Sequence, residues 1–583
     1  MSAPYWDYVG RIVEKKNREL KRYSFFEETW EALDGGADLV ILKAPTGCGK
    51  TEATTVPFMA KLAEGRPPWA SLIYVLPTRS LAFFMRARLD DSLTALGIQG
   101  ATVTLDHGEL LSVKPYLEGD IAITTYDTLL YTTYGFRSPG YHLLLPVGKV
   151  ALSLIVMDEV QLLQDTTWFT MEVLPWHVRC LLDLGAQVVM MTATMPPPLE
   201  GMLAERCAVK KVETIEASDR PGRGRIEVVP KLRPLPTDKE ELKEILGGVL
   251  SDSGLPLLIV VNKVDKAVEI YEKTRDLARE GLFPDGVDVL LLHSRLRRGL
   301  RNRVEAILAE KGRRGEPLVL ISTQVVEAGL DYNFKTLITE LCPVDSLIQR
   351  VGRIARKPDT DGKALVFLDA GAGGGVYPGP LITRSFDVVK EHDDLVAEAT
   401  CNIHAASELL AEVYTRDLVD ELTAKAGVRY LIKKVRGFIE TFVDSLASPR
   451  PETRVREYLL RLGVEVKCWV PSEEQAEKLL AGEEILVSPE EFRNDVVSIS
   501  VIKVPGKPLK LPSAVIHELG GKRVMVAIDV VRKEERLALR GKTIDAEIGE
   551  LLGLVVGEGP LLLLNLTYYE VRDGVEVGVV KPW

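Results

Sequence analysis

A glycine-containing turn near the start of the chain has the residue types needed to bind the phosphates of a nucleotide. It comprises residues 44–51, Ala-Pro-Thr-Gly-Cys-Gly-Lys-Thr, between the apolar run 39–42 and a helical stretch. Glycines let backbone N–H groups turn toward a phosphate, and the start of the following helix favours an anion. Lys50 would reach the β- and γ-phosphates, and Thr51 would hold magnesium. The alternative is a strand-to-helix turn without a ligand. The nucleotide-binding residues predicted in this turn are Thr46, Gly47, Gly49, Lys50 and Thr51.

An acidic pair, Asp158-Glu159, directly follows the apolar run 154–157. Taken alone, such a pair is typical of a solvated loop. After a phosphate-binding turn and at the end of a buried strand, it predicts a second part of the same site. Asp158 can bind the magnesium held by Thr51, and Glu159 can orient and deprotonate an attacking water.

Other polar side chains also follow strand-like runs. Hydroxyl groups and an arginine at such ends suit contacts to the sugar-phosphate backbone of a nucleic acid, although each segment is also compatible with an ordinary turn. Thr192 and Thr194 follow a further buried run, and their hydroxyls could link the nucleotide site to the nucleic-acid site. The residues predicted on this basis to contact a nucleic-acid strand are Thr78, Arg79 and Thr125.

Three arginines, Arg350, Arg353 and Arg356, are spaced at i, i+3 and i+6. This spacing predicts that they share one helix face. Three cations on one helix face without acidic partners cost free energy unless an anion binds beside them. The γ-phosphate of a nucleotide could be that anion. The alternative is a solvated basic face.

The elements that position these residues form two similar blocks. Up to about residue 370, short apolar runs alternate with helical stretches, and the runs are too apolar for strands with one solvated face. They predict two parallel α/β sheets separated by a linker at 219–225. Beyond the glycine-rich break 370–375, a helical region is followed by Val-rich strands, with Asp573-Gly574 as a hairpin signal. The predicted domains are 1–218, 219–370 and 371–583.

Taken together and in this order, the motifs resemble those of superfamily 2 helicases. More narrowly, the chain is similar to the CRISPR-associated helicase of type I interference systems. The segments that carry this resemblance are 49–53, 261–264, 292–295, 322–331 and 343–350.

The resemblance implies an α/β fold with two tandem RecA-like parallel-sheet domains and an α+β C-terminal accessory domain. Such a motor binds ATP and magnesium between its RecA-like domains. It moves 3′ to 5′ on single-stranded DNA, on the strand displaced by the crRNA-guided surveillance complex. The resemblance assigns Lys50, Glu159, Gln161, Arg353 and Arg356 to hydrolysis, Asp158, Gly329, Asp331 and Gln349 to the nucleotide site, and Thr323 and Gln324 to the strand.

The chain departs from the family pattern at several places. Gln161 stands where many relatives carry His, and Phe-Phe-Glu-Glu at 25–28 stands where an adenine-reading Gln is expected. Many relatives also carry an N-terminal nuclease domain with a metal-binding His-Asp (HD) dyad. Here the phosphate-binding turn begins near residue 44, and the single His392-Asp393 pair is interpreted as coincidental. The sequence therefore predicts a helicase-only form that works with a separate HD-type nuclease subunit.

Composition limits the class of protein. The net charge of −11 argues against a protein that coats nucleic acid over its whole surface, but it allows a local basic groove. Six scattered cysteines and no apolar run of membrane-spanning length predict a cytoplasmic protein without a membrane partner. Asn and Gln number seven each, and scarce thermolabile amides beside abundant Glu, Lys and Arg indicate a thermophile.

Two alternatives to the CRISPR helicase remain at this point. The same motor residues would serve a superfamily 2 enzyme of DNA repair or RNA remodelling. A decayed motor would act only as a nucleic-acid-binding scaffold.

Overall fold

The computed structural model describes most of the chain in two compact units. The first unit comprises residues 1–222 and 383–461, and the second comprises 223–382 and 462–583. The described residues are 2–15, 20–45, 47–106, 116–135, 144–165, 167–217, 222–327, 332–369, 376–424, 426–444, 463–502, 512–545, 561–572, 575–580 and 582.

The first unit contains a parallel sheet of short, largely buried strands. Runs such as Leu-Val-Ile-Leu-Lys at 39–43 are buried along their whole length, as expected for strands covered on both faces. In chain order the elements are α1 (Ser2–Lys15), α2 (Ser24–Asp34), β1 (Leu39–Lys43), α3 (Lys50–Ala63), β2 (Leu72–Leu76), α4 (Arg79–Leu96), β3 (Val103–Asp106), β4 (Ile121–Thr125), α5 (Tyr126–Thr133), α6 (Leu144–Val150), β5 (Leu154–Met157), α7 (Phe169–Asp183), β6 (Gln187–Thr192), α8 (Pro197–Arg206) and β7 (Val212–Glu216).

The strands of this sheet lie in the order β3-β4-β2-β5-β6-β1-β7, and every neighbouring pair is parallel. The carboxyl ends of β1, β2, β5 and β6 therefore meet at one edge. Ligands of open α/β sheets bind at this edge, and the phosphate-binding turn and the acidic pair both follow these ends.

The second unit contains the other predicted parallel sheet. Its strands lie in the order β10-β11-β9-β12-β13-β8, again with parallel neighbours. The elements are β8 (Ile226–Pro234), α9 (Lys239–Asp252), β9 (Leu257–Val260), α10 (Val264–Arg279), β10 (Asp288–Leu292), α11 (Arg298–Arg314), β11 (Leu318–Ser322), β12 (Thr336–Glu340), α12 (Val344–Val351) and β13 (Gly362–Leu368).

Five helices follow in the chain, and residues from 383 to 461 group with the first unit. They bury aliphatic side chains on one side, as Leu409 and Leu410 illustrate. The helices are α13 (Gly379–Glu391), α14 (Asp393–Ala399), α15 (Ile403–Val413), α16 (Arg416–Thr423) and α17 (Ala426–Phe442).

The remaining part is rich in strands and groups with the second unit. A mixed sheet has the order β15-β19-β18-β20-β14-β16, with β17 beside β18, and β21 pairs with β22. The elements are β14 (Gly463–Trp469), α18 (Glu473–Leu480), β15 (Glu484–Val487), α19 (Pro489–Asn494), β16 (Val496–Ile502), β17 (His517–Leu519), β18 (Lys522–Lys533), β19 (Arg536–Asp545), β20 (Leu561–Leu563), β21 (Tyr569–Arg572) and β22 (Val575–Val579).

The predicted fold class is confirmed, because two parallel α/β sheets are followed by a helical and then β-rich region. The strands on either side of Asp573-Gly574 pair antiparallel, as the hairpin signal predicted, although these two residues lie outside the described part. Domain boundaries at 218 and 370 stay predictions, and residues 370–375 are not described. No helix among the described residues is long and apolar enough to cross a membrane.

Candidate active site

The phosphate-binding turn connects β1 to α3 in the first unit. Gly47 and Gly49 have φ values of 90° and 92°, which favour glycine. A Cβ at Gly49 would also lie 2.8 Å from Cζ of Phe26. The Lys50 ammonium donates to the carbonyl of Ala44 at 2.8 Å and to that of Pro45 at 3.3 Å. These two hydrogen bonds hold the positive charge of Lys50 inside the turn, at the start of α3. Thr46 lies outside the described residues.

Thr51 and Asp158 are joined by a side chain that the sequence analysis missed. The Tyr74 hydroxyl donates to Oδ2 of Asp158 at 2.7 Å and also lies 3.4 Å from Oγ1 of Thr51. A phenol in the otherwise aliphatic buried strand β2 needs a hydrogen-bond partner, and that requirement was the available signal. The Tyr74 hydroxyl therefore lies beside both predicted magnesium ligands.

Oxygen ligands from Thr51 and Asp158 fit magnesium, which takes few protein ligands and completes its shell with phosphates and waters. No group of three or more His, Cys, Asp or Glu side chains in the described part of the chain could hold a metal alone. The pKa of Asp158 is raised to about 6, because burial and the neighbouring Glu159 carboxylate raise it more than the Lys50 ammonium lowers it. A cation beside Asp158 would favour its charged form.

The side chain of Glu159 is held by a relay. Its Oε2 accepts from Nε2 of Gln161 at 2.6 Å, and Oε1 of Gln161 accepts from the Thr192 hydroxyl, also at 2.6 Å. The Thr194 backbone N–H donates to the Thr192 hydroxyl at 2.9 Å. Glu159 itself has φ of 50°, a conformation that non-glycine residues rarely adopt. Gln161 thus positions the carboxylate expected to act on water, and the two threonines support it.

The residues of the first unit that are predicted to contact a nucleic-acid strand differ in their surroundings. Thr78 is exposed at the start of α4. The side chain of Arg79 is not described. Thr125 is buried and caps α5, since its hydroxyl accepts from the Thr128 N–H at 3.4 Å and donates to the Thr128 hydroxyl at 3.0 Å. Thr78 is therefore the more accessible candidate.

The prediction that three arginines share one helix face is wrong. Helix α12 ends at Val351, so Arg353 and Arg356 lie beyond it. Arg350 is fully buried and donates from Nε to Glu327 at 2.8 Å. The sequence analysis missed this acid because it lies 23 residues away in the chain.

Arg350 also donates to the Thr339 hydroxyl at 3.0 Å and to Oδ1 of Asn262 at 3.1 Å. The Arg353 guanidinium donates to the backbone carbonyl of Glu327, and Nε of Arg356 donates to the Gly352 carbonyl at 3.2 Å. Arg350 therefore stabilises the second unit, whereas Arg353 and Arg356 remain candidates for the γ-phosphate.

The remaining candidates of the second unit lie around β11 and α12. Nε2 of Gln324 donates to the Asn262 carbonyl at 3.1 Å, and Thr323 is buried beside it. Gln349 is buried, and neither atom of its amide has a hydrogen-bond partner in the structure. Buried amides are normally satisfied, so Gln349 is a good candidate for a ligand contact. Gly329 and Asp331 lie outside the described residues.

Two family models match the chain. The model described as "DEAD/DEAH box helicase" matches residues 25–201, and "CRISPR-associated nuclease/helicase Cas3, C-terminal" matches residues 253–359. The first match includes six of the seven strands of the first parallel sheet, and the second includes four of the six strands of the other. The matched segments include the phosphate-binding turn and the acidic pair in the first unit and the arginines in the second.

Among curated proteins, the chain is 30% identical over 440 residues to the CRISPR-associated helicase Cas3 of Thermoproteus tenax. The alignment covers 73% of this chain and 72% of that protein. The chain belongs to the CRISPR-associated helicase Cas3 family. This membership makes it an ATP-dependent nucleic-acid helicase of superfamily 2, as the sequence motifs predicted.

Other members of the Cas3 family are longer. The chain is 30% identical over 353 residues to the CRISPR-associated nuclease/helicase Cas3 of Methanothermobacter thermautotrophicus, covering 56% of this chain and 39% of that protein. The crystal structure of T. fusca Cas3-AMPPNP has the same fold, with a TM-score of 0.61 at 20% identity. That match covers 87% of this chain and 66% of the other.

Proposed function

We propose that this Cas3-family helicase is an ATP- and magnesium-dependent translocase that moves 3′ to 5′ on single-stranded DNA in type I CRISPR interference. The observation that carries the proposal is the grouping of four side chains that are predicted to act in hydrolysis. Lys50, Thr51, Asp158 and Glu159 come together at one edge of a parallel sheet, and Gln161 holds the Glu159 carboxylate. AMPPNP in the T. fusca structure supports ATP as the nucleotide.

Each side chain has a defined part in hydrolysis. Lys50 binds the β- and γ-phosphate oxygens, and magnesium, once bound by Thr51 and Asp158, would neutralise part of their charge. Glu159 accepts a proton from water as the water oxygen bonds to the γ-phosphorus. The bond from that phosphorus to the ADP oxygen then breaks. Arg353 and Arg356 are proposed to stabilise the charge on the transferred group.

The partners belong to the same proposal. The track is the strand displaced by a crRNA-guided surveillance complex, and cleavage comes from a separate HD-type nuclease subunit. The proposal of a separate nuclease is supported by the surroundings of the histidines. His392 lies 3.4 Å from Glu412, and Nε2 of His517 lies 3.0 Å from the Leu563 carbonyl, so neither is grouped with metal ligands in the described part.

The test compares ATP hydrolysis by the wild type, Glu159→Gln and Glu213→Gln at elevated temperature with magnesium. Glu213 is an exposed glutamate on β7 of the same unit and serves as the matched control. Single-stranded DNA should stimulate the wild type and the control, whereas Glu159→Gln should be inactive.

Other outcomes contradict the proposal in distinct ways. Stimulation by single-stranded RNA that equals or exceeds stimulation by DNA would indicate an RNA-remodelling enzyme. Absence of hydrolysis with every nucleic acid would indicate a binding scaffold. Cleavage of DNA by the purified chain would contradict the separate nuclease.

A further inference from the structure

Helix α17 has one buried face and one exposed face. Its buried face includes Val428, Leu431 and Val435. The helix also stacks aromatic rings on the first unit, since the Phe438 and Phe442 centroids lie 5.3 and 4.7 Å from that of Tyr134. These contacts fix the orientation of the helix and present its opposite face to solvent.

The exposed face carries a tyrosine between basic side chains. Tyr430 is 59% exposed, and it is the most exposed of the described aromatic side chains. Helical spacing places Lys433 and Lys434 one turn further along and on either side of it. Nζ of Lys434 lies 5.8 Å from the centroid of the Tyr430 ring.

The charges on this face are uncompensated within the helix. In the described part of the chain no ion pair joins Lys433 or Lys434 to a carboxylate. The acidic residue of α17, Glu440, faces Arg436 at 3.4 Å. On the neighbouring α16, Asp420 faces Arg416 at 3.7 Å. A basic strip on a chain with a net charge of −11 is complementary to a polyanion.

The exposed face belongs to the first unit, which carries three of the five residues predicted to contact a nucleic-acid strand, Thr78, Arg79 and Thr125. Thr125 caps the first turn of α5, and Tyr134 follows the last turn of the same helix. Two aromatic rings of α17 pack against Tyr134. Helix α5 therefore connects Thr125, a predicted contact to a nucleic-acid strand, to a residue against which α17 packs.

We propose that Arg429, Tyr430, Lys433 and Lys434, here named the α17 face, bind single-stranded nucleic acid. A base stacks on the Tyr430 ring, and the cations contact the adjoining phosphates, which is the combination used by proteins that bind strands without sequence preference. The inference rests on the proposed function, since single-stranded DNA is the ligand to which it commits. It adds a binding surface outside the helicase motifs.

The first test measures the affinity of the full chain for a fluorescent oligothymidylate by anisotropy. Tyr430→Ala should weaken binding about 5- to 100-fold, which is the range for loss of one stacked base. Tyr430→Phe should bind like the wild type, because stacking needs the ring and not the hydroxyl. The thermal unfolding midpoint of each variant checks that an exposed substitution leaves the fold intact.

The second test measures how affinity depends on salt. Lys433→Glu combined with Lys434→Glu should lower the slope of log affinity against log salt by roughly 1.4, since each phosphate contact to a single strand contributes about 0.7. The matched control is Lys243→Glu, an exposed lysine on α9. It tests for a general effect of added negative charge and should leave the slope near the wild-type value.

The outcomes separate this inference from the proposed function. A wild type that binds no nucleic acid would contradict the proposed function. A wild type that binds oligothymidylate while Tyr430→Ala and the double lysine variant bind equally well would overturn the α17 face alone. An equal loss in Lys243→Glu would also overturn it, because charge at a distance would then account for the effect.

Discussion

At the scale of single residues, the proposed hydrolysis site depends on side chains beyond those proposed to contact ATP and magnesium. The Glu159 carboxylate is positioned by Gln161, and Gln161 is fixed in turn by the Thr192 hydroxyl. The amide of Gln161 offers both a donor and an acceptor. The amide reaches Glu159 and Thr192 with its two ends.

We expect Gln161→Ala to lower the turnover number for ATP about 10- to 100-fold, the range seen when an outer partner of a functional group is removed. The Michaelis constant for ATP should change little, because Gln161 contacts Glu159 and not the phosphate-binding turn. Gln99→Ala, an exposed amide of the same unit, is the control. A variant with unchanged turnover would show that the relay has no role in hydrolysis.

Tyr74→Phe removes the hydroxyl that joins Thr51 and Asp158 and leaves the buried ring in place. We expect the magnesium concentration for half-maximal hydrolysis to rise about tenfold, because the two ligands lose their common partner. Magnesium titrations of ATP hydrolysis measure this. Tyr8→Phe, at a partly exposed tyrosine of α1, should leave the titration curve unchanged. An identical curve for Tyr74→Phe would contradict the positioning role.

At the scale of elements, the loop after β10 is held by the last strand. Nε2 of His293 donates to the Val577 carbonyl at 3.0 Å, and its Nδ1 accepts from the Arg295 N–H at 3.1 Å. Arg297 and Glu576 form an ion pair, with Nε and Oε2 at 2.6 Å. Both contacts bring the β22 hairpin onto a segment that carries a helicase motif.

These contacts require neutral His293, and burial lowers its pKa to about 3. An unfolded histidine titrates near 6.5, so the stabilising contribution is complete above that pH and is lost progressively as pH falls toward 3. Between pH 8 and pH 5 we expect His293→Gln to lose about 2 kcal/mol less stability than the wild type. Chemical unfolding at the two pH values measures this. Equal losses would contradict the buried neutral state.

Element boundaries also explain the error about the arginines. The sequence suggested a continuous helix through residue 356, but α12 ends at Val351. The segment 352–356 then turns, and the Phe334 N–H donates to the Arg353 carbonyl at 3.1 Å. Arg350 and Arg353 thus bind different groups of Glu327, its carboxylate and its backbone carbonyl, despite their three-residue spacing.

At the scale of the whole molecule, the two compact units are assembled from discontinuous segments. The helices between 383 and 461 pack with the first unit, although they follow the second sheet in the chain. The strands after 462 pack with the second unit. Val577 and Val580 of the last segment belong to the same core cluster as Leu257 and Ile259 of β9.

We expect Val577→Ala to destabilise the second unit by about 2 kcal/mol, because it removes two buried methyl groups and leaves a cavity. Hydrogen exchange should speed up in β9 but not in β1, since β9 shares the core with Val577 and β1 belongs to the first unit. The control is Val571→Ala on the same hairpin, where the side chain is 57% exposed. Equal effects of the two variants, or faster exchange in β1, would contradict this assignment.

The features that depend on local pattern were predictable from the sequence. Gly47 and Gly49 before Lys50 identified the phosphate-binding turn, and Asp158-Glu159 identified the second part of the site. The alternation of buried runs and helical stretches determined two parallel sheets, because a strand covered on both faces must be apolar along its length. The order of these motifs was sufficient for the family.

Tertiary structure decided what depends on partners distant in the chain. Tyr74 meets Asp158 across 84 residues, Arg350 meets Glu327 across 23, and Arg297 meets Glu576 across 279. Spacing along the sequence carries no record of such pairs, since they form only when sheet order and packing bring the elements together. The same reason explains why the helices between residues 383 and 442 join the first unit and why the last strand completes the core of the second.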